Sequence, residues 1–126
     1  MDFDVVITGG TVVDGTGAAP AAPGDIGIVG DRIAARGAPG ALRGRRTIDA
    51  HGRLVTPGFL DIHTHYDAQV LWDPTLGPSC HQGVTTVVGG NCGFTLAPCR
   101  PEHRDIVVDT LESVEDMSGA TLRAGI

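Results

Sequence analysis

The chain has 126 residues, 41% hydrophobic and 19% charged, which is the composition of a globular protein rather than a disordered one. Fifteen acids stand against nine bases, all arginine, for a net charge of −6. That balance gives no footprint for a phosphate backbone, and the lack of lysine excludes a Schiff base or a lysine-derived metal bridge within this span. A length of 126 residues is too short for a whole (β/α)8 barrel, which needs about 250.

The N-terminus, Met1-Asp2-Phe3-Asp4, is acidic and lacks the basic and apolar regions of a secretory signal. No apolar run approaches the roughly 18 residues of a membrane span. Cys80, Cys92 and Cys99 are an odd count, so they are expected to be reduced, in a cytoplasmic protein, and to serve packing or metal binding.

Residues 1–57 read as short strands between glycine turns. Asp4 to Thr8 is apolar and β-branched, and Gly9-Gly10 signals a hairpin into Thr11-Val12-Val13. Gly15 to Gly24 offers little to pack and reads as a loop. Asp25 to Val29 is the next strand, turned by Gly30-Asp31 into Arg32 to Ala35. After a loop over 36–46, Thr47-Ile48-Asp49 is expected to pair across Ala50-His51-Gly52 with Arg53-Leu54-Val55. Three hairpins in this span fit a small β-sandwich or β-sheet domain.

After Thr56-Pro57-Gly58 the pattern changes. Phe59 to His63 is an apolar strand running into Thr64-His65-Tyr66-Asp67, and residues 68–82 read as a loop holding at most one short helix. Gly83 to Val88 is apolar or β-branched on both faces, as in a buried strand of a parallel sheet. Pro101 suits the first position of a helix, whose apolar stripe is expected at Val107, Leu111 and Val114, with Asp105, Asp109, Glu112 and Glu115 on other faces. Strand, connection, strand and helix are the opening of an α/β domain.

His63-Thr64-His65 is the sharpest motif. Residues two apart in a strand share a face, so both imidazoles can reach one metal ion, and Asp61 shares that face one pleat earlier. On its own the tripeptide is more often two exposed histidines at a strand end. Asn91-Cys92-Gly93 lies just past strand 84–88. If the two strands are parallel neighbours, both motifs fall at their C-terminal ends, where barrel enzymes place their chemistry. Strands about 4.8 Å apart can be spanned by a metal whose bonds are about 2.0–2.3 Å. By itself Cys92 is more often a small buried residue than a ligand; its coincidence with the histidines raises the metal reading. Other candidates are weaker. Cys80 and His81 precede the second strand, on the opposite side. Cys99 reads as structural and Arg43 to Arg46 as a solvated loop, and no role falls to His51 or His103. Tyr66 and Asp67 are placed to line a substrate mouth.

The run Pro57-Gly58-Phe59-Leu60-Asp61-Ile62-His63-Thr64-His65 resembles the first barrel strand of the amidohydrolase superfamily. Tyr66-Asp67-Ala68-Gln69, the stretch Gln82 to Gly93 and Leu96-Ala97-Pro98 narrow the resemblance to the N-acyl-D-amino-acid deacylases, or D-aminoacylases. The opening, Asp4 to Gly17, is similar to the family's N-terminal strands. The resemblance implies a zinc-dependent hydrolase of linear amides, acting on a small-molecule N-acyl amino acid through zinc-activated water. It also implies metal positions, for one or two ions, in which His63 and His65 serve as ligands and Cys92 ligates zinc and can bridge. The expected fold is α/β. A small β-sandwich-like module over 1–57 would be followed over 58–126 by the first strands and helix of an incomplete (β/α)8 barrel.

Family members run to several hundred residues and carry further metal-binding histidines and a catalytic aspartate on later strands. The chain is therefore expected to be an N-terminal fragment with no catalytic residue in its own span, inactive alone. A non-catalytic β module is the alternative from another class. A hydantoinase or dihydroorotase relative is the alternative among enzymes, against which Tyr66 to Gln69 and Asn91-Cys92-Gly93 argue.

Overall fold

The computed structural model describes residues 2–115 and 117–125 of a mixed α/β chain. Met1 and Ile126, the outer limits of the two expected segments, lie outside the described residues. The chain divides into two compact units, Met1–Pro57 and Gly58–Ile126. Among the described residues no helix is long and apolar enough to cross a membrane.

The first unit is a single five-stranded sheet. Its strands are β1 (Phe3–Val12), β2 (Ala22–Val29), β3 (Arg32–Gly37), β4 (Gly44–Asp49) and β5 (Leu54–Val55). Their order is β3-β2-β1-β4, with β5 also on β1. The β2–β3 hairpin forms at Gly30-Asp31 as expected. The other two expected hairpins do not form.

Gly9-Gly10 lies inside β1, which runs on as one strand and pairs antiparallel with β2 over Val5–Ile7 and again over Gly10–Val12. Gly9 has φ +76°, and the register shifts between Ile7 and Gly10, so Thr8 and Gly9 together oppose Asp25. The positive φ that would make a hairpin turn here makes a β-bulge. The second failure follows from the first strand's length. β4 and β5 do not pair with each other; both lie parallel to β1 along one edge. The Ala50–Arg53 turn, closed by the Arg53 amide on the Ala50 carbonyl at 2.9 Å, steps past the bulge between them.

Phe3, Val6, Val12, Ile26 and Ala50 are buried here, and so is the whole of Asp25. The Asp25 carboxylate accepts the Thr8 hydroxyl at 2.7 Å and the Leu42 amide at 3.3 Å. Burial alone would raise its pKa. The hydrogen bonds from Thr8 and from the amides of Leu42, Gly9 and Gly40 outweigh that and hold it below the usual carboxylate range. The bulge thus aims two donors at one buried acid.

In the second unit, β6 (Phe59–Thr64) pairs parallel with β7 (Val84–Gly89), as the pattern predicts. The connection holds a 3-10 turn (Gln69–Leu71) and α1 (Gly77–His81), which lies against β7. Asp73 organises it: the Thr75 hydroxyl (2.7 Å), the Gly77 amide (2.8 Å) and the Gln69 side chain (3.2 Å) all donate to its carboxylate. These bonds, that from Thr75 foremost, lower its pKa. The expectation that 84–88 is buried on both faces is not met. Val84 and Val87 are half-buried and Thr85, Thr86 and Val88 exposed; β6 pairs with the strand and α1 lies against it.

A 3-10 turn at Pro101–His103 runs into α2 (Arg104–Glu115), and α3 (Gly119–Gly125) packs on α2. The sequence pattern did not suggest α3. The expected stripe on α2 is also corrected. Its buried residues are Val108 and Leu111, with Val107 beside them, while Val114 is exposed. Ala68, Val108, Leu111 and Leu122 form the core, with Leu96, Val107 and Met117 packed against it. Ala68 lies three residues after His65 and Leu96 four after Cys92. The core therefore anchors both segments that leave the strand ends.

Candidate metal centre

His63 and Thr64 end β6, and His65 follows directly. Thr64 faces inward, 5% exposed, and its hydroxyl donates to the Val88 carbonyl at 3.2 Å. The alternation of a strand then turns His63 and His65 to the opposite, exposed side. Their rings lie nearly parallel, 18° apart in plane, with centroids separated by 5.6 Å.

Cys92 reaches the same place from β7. Gly89 ends that strand opposite Thr64, and the chain turns at Gly90-Asn91-Cys92-Gly93, closed by the Gly93 amide on the Gly90 carbonyl at 3.0 Å. The Asn91 side chain ties the turn back to β6 by donating to the Ile62 carbonyl at 2.8 Å. The Thr95 hydroxyl donates to Asp67 at 2.6 Å, fastening the far end of the same loop to the segment after β6.

As a result, one nitrogen from each of His63 and His65 and the sulfur of Cys92 all lie within 4.8 Å of one another. The sulfur is half-buried and both imidazoles are exposed. All three cysteines are free thiols. Two imidazole nitrogens and a thiol make a donor set of the kind that borderline-soft divalent ions take. Ligand atoms around one tetrahedral zinc stand roughly 3.3–3.6 Å apart from bond lengths alone. A spacing within 4.8 Å closes on one ion by side-chain rotation, or lets the sulfur bridge two. The residues present therefore fit zinc.

The neighbouring carboxylates are engaged elsewhere. Asp61, expected beside the histidines, accepts the backbone amide of His63 at 3.2 Å, and Asp67 accepts Thr95. Glu115, which the sequence pattern places off the apolar stripe of α2, meets the site: its Oε1 lies 2.7 Å from His65 Nδ1. A carboxylate can only accept, so Nδ1–H donates. The signal for Glu115 lay in its spacing, four residues after Leu111 and seven after Val108, on the stripe that is actually buried.

The remaining candidates stay apart. Tyr66 and Asp67 line a cleft with Thr64, Val87, Leu96 and Ala97, and the Tyr66 hydroxyl shares a hydrogen bond with Ser79 at 2.6 Å. Cys80 and His81 lie on α1 before β7 and, like His103, are exposed. The Cys99 thiol contacts the Arg100 carbonyl at 3.3 Å. His51 sits in the Ala50–Arg53 turn of the first unit.

The profile of the amidohydrolase family matches residues 46–124. The D-aminoacylase of Alcaligenes xylosoxydans xylosoxydans is 42% identical over 110 residues, which is 87% of this chain and 22% of that protein. A crystal structure of N-acyl-D-glutamate deacylase from Bordetella bronchiseptica, bound to zinc and a phosphonate mimic of the tetrahedral intermediate, superposes with a TM-score of 0.70 at 46% identity, covering 79% of this chain and 21% of that one. A D-aminoacylase structure described for its binuclear metal centre gives the same TM-score of 0.70 at 44% identity, covering 89% of this chain and 27% of that one. The chain spans about a fifth to a quarter of the length of the curated relatives it matches.

Proposed function

The chain belongs to the amidohydrolase family, and from that premise we propose that His63, His65 and Cys92 hold zinc in an enzyme that hydrolyses the amide bond of N-acyl-D-amino acids. The observation that carries this reading is the convergence of two imidazoles and a thiol at the carboxyl ends of paired parallel strands. We read Met1–Pro57 as part of a small β-sandwich-like domain and Gly58 onward as the opening β/α units of a (β/α)8 barrel. The parallel pairing of β6 with β7 supports this, as does the placement of the donors on the face where such barrels carry their chemistry. Substrate class and stereochemistry rest on the likeness to the D-aminoacylase and the N-acyl-D-glutamate deacylase.

Zinc, when bound, supplies a Lewis acid that polarises a carbonyl and acidifies water near neutral pH. The chain's own residues would hold it and set its charge. His63 and His65 would serve as neutral imidazole ligands and Cys92 as a thiolate, so the three would offset only one of the two positive charges. Asn91 and Thr95 keep the Cys92 loop against β6 and the segment after it. Exposure of both imidazoles leaves the centre open to a small-molecule substrate. A reducing, cytoplasmic compartment suits a centre that needs Cys92 as a thiolate. Among the described carboxylates beside the centre, Asp61, Asp67 and Glu115 are each engaged in a hydrogen bond, and none of the three is assigned as acid or base. The chain by itself is then expected to show negligible turnover.

The test uses the full-length protein that carries this sequence, native and Cys92→Ala. Bound zinc is measured together with release of amino acid from N-acetyl-D- and N-acetyl-L-amino acids. Zinc-dependent, D-selective hydrolysis that falls with the zinc content in the variant supports the proposal. Undiminished zinc and rate in Cys92→Ala would overturn the ligand assignment, and no hydrolysis of either enantiomer would overturn the activity.

A further inference from the structure

We infer that Glu115 is a positioning residue for the metal centre, its carboxylate holding His65 in the tautomer that presents Nε2 as the ligand atom. The inference deepens the zinc reading above and rests on it. Three observations carry it. Oε1 of Glu115 and Nδ1 of His65 are 2.7 Å apart across 50 residues of chain. The Glu115 side chain is 11% exposed, whereas that of His65 is 44% exposed. Glu115 also continues the Val108–Leu111 stripe of α2 at its last residue.

The last two are unfavourable for an acid without a partner. A carboxylate on a core-facing stripe loses its water, and one at the C-terminal end of a helix faces the negative pole of the backbone dipole. The position makes sense when the acid has a cationic or N–H partner, and His65 is that partner. The consequence for the imidazole is chemical. With the proton held on Nδ1, the lone pair lies on Nε2, and the ring is fixed about its bond to Cβ instead of turning freely in solvent. The carboxylate also raises the electron-donating strength of the ring toward a metal. Glu115 therefore touches neither metal nor substrate and acts through His65. α2 carries it there because Val108 and Leu111 lock the helix against Ala68, three residues beyond His65.

The experiment compares the native protein, labelled with 15N-histidine, with Glu115→Gln and Glu115→Ala. In the metal-free proteins, long-range 1H–15N spectra read the tautomer of His65. Zinc affinity is then measured by chelator competition. Native protein is expected to show Nδ1–H and Glu115→Ala to lose that preference, with zinc affinity lower by about 10- to 100-fold. Glu115→Gln keeps an oxygen acceptor and the packing, so it should keep the tautomer and lose about 3- to 10-fold, the part owed to charge. Where Glu115→Ala fails to fold, Glu115→Gln decides. An unchanged tautomer in Glu115→Ala, or native zinc affinity in both variants, would overturn the inference. If the native protein binds zinc no better than Cys92→Ala, the metal reading fails instead, while the tautomer still reports on the Glu115–His65 contact.

Discussion

Replacing Asp25 should destabilise the first unit selectively. The residue is 0% exposed, and its carboxylate accepts the Thr8 hydroxyl at 2.7 Å and the Leu42 amide at 3.3 Å. The amides of Gly9 and Gly40 also stabilise its charge. A hydrogen bond to a charged group contributes about 1.5–3 kcal/mol, and a buried donor left without a partner costs about 1–3 kcal/mol. The Thr8 hydroxyl can rotate to another acceptor, the Leu42 bond is long, and deletion also removes the cost of burying a charge. The net loss expected for Asp25→Ala is therefore about 2–4 kcal/mol, a large share of the 5–15 kcal/mol of a typical domain. Asp25→Asn should lose less, about 1–2 kcal/mol. Its amide oxygen can serve the backbone donors while its NH2 group donates to the Thr8 hydroxyl.

Trp72 and Tyr66, the only tryptophan and tyrosine, both lie outside Met1–Pro57, so intrinsic fluorescence is blind to this unit. Hydrogen exchange read by mass spectrometry on peptides over 3–12 and 22–37 is the suitable assay, with peptides over 104–115 as the control. Because the folded pKa is depressed, the native state binds fewer protons than the unfolded one as acid is added. The contribution of Asp25 is fully present above the ordinary carboxylate value of about 3.9 and is lost as pH falls through the lower folded value. The gap between native protein and Asp25→Asn should thus narrow below about pH 4. Protection in Asp25→Ala within about 0.5 kcal/mol of native, the range of a surface change, would refute the reasoning. So would a gap that stays constant or widens in acid.

Two packing predictions belong to the second unit. Leu111→Ala removes a side chain that is 1% exposed at the centre of the α2–α3 core, and should cost about 2–5 kcal/mol in the exchange of peptides over 104–124. A loss near the surface range of about 0.5 kcal/mol would show that this core does not hold the helices. Gly58→Ala drives a methyl into the Thr85 side chain, where β7 runs beside the start of β6, and should destabilise that pair by about 1–3 kcal/mol. Thr85→Gly should relieve much of this in the double variant, and strictly additive losses by urea titration would argue that the contact is not the cause.

The parts of the molecule that could be read in advance are those whose causes are local. The β2–β3 hairpin needs only Gly30-Asp31 and flanking β-branched residues. The convergence of His63, His65 and Cys92 needs only the two-residue period of a strand and the parallel pairing suggested by the apolar pattern of 84–88. Gly9-Gly10 reads as a hairpin and folds as a bulge because the two ask for the same backbone conformation. What decides between them is Asp25, sixteen residues away, which gathers the hydroxyl and the amide that the bulge presents. The pairing of β4 and β5 with β1 is likewise set by partners distant in sequence.

Glu115 shows the same limit in its sharpest form. Val107, Leu111 and Val114 form an apolar register along α2, and so do Val108 and Leu111; the second register is completed only by an acid. On apolarity alone the first wins. It loses in the fold because His65 supplies what the acid needs, and the apolar Val114 is left exposed as the consequence. A helix that turns a valine outward and a glutamate inward has given up local preference for a contact 50 residues away in the chain. Such a concession is expected where a side chain serves a site rather than the helix that carries it.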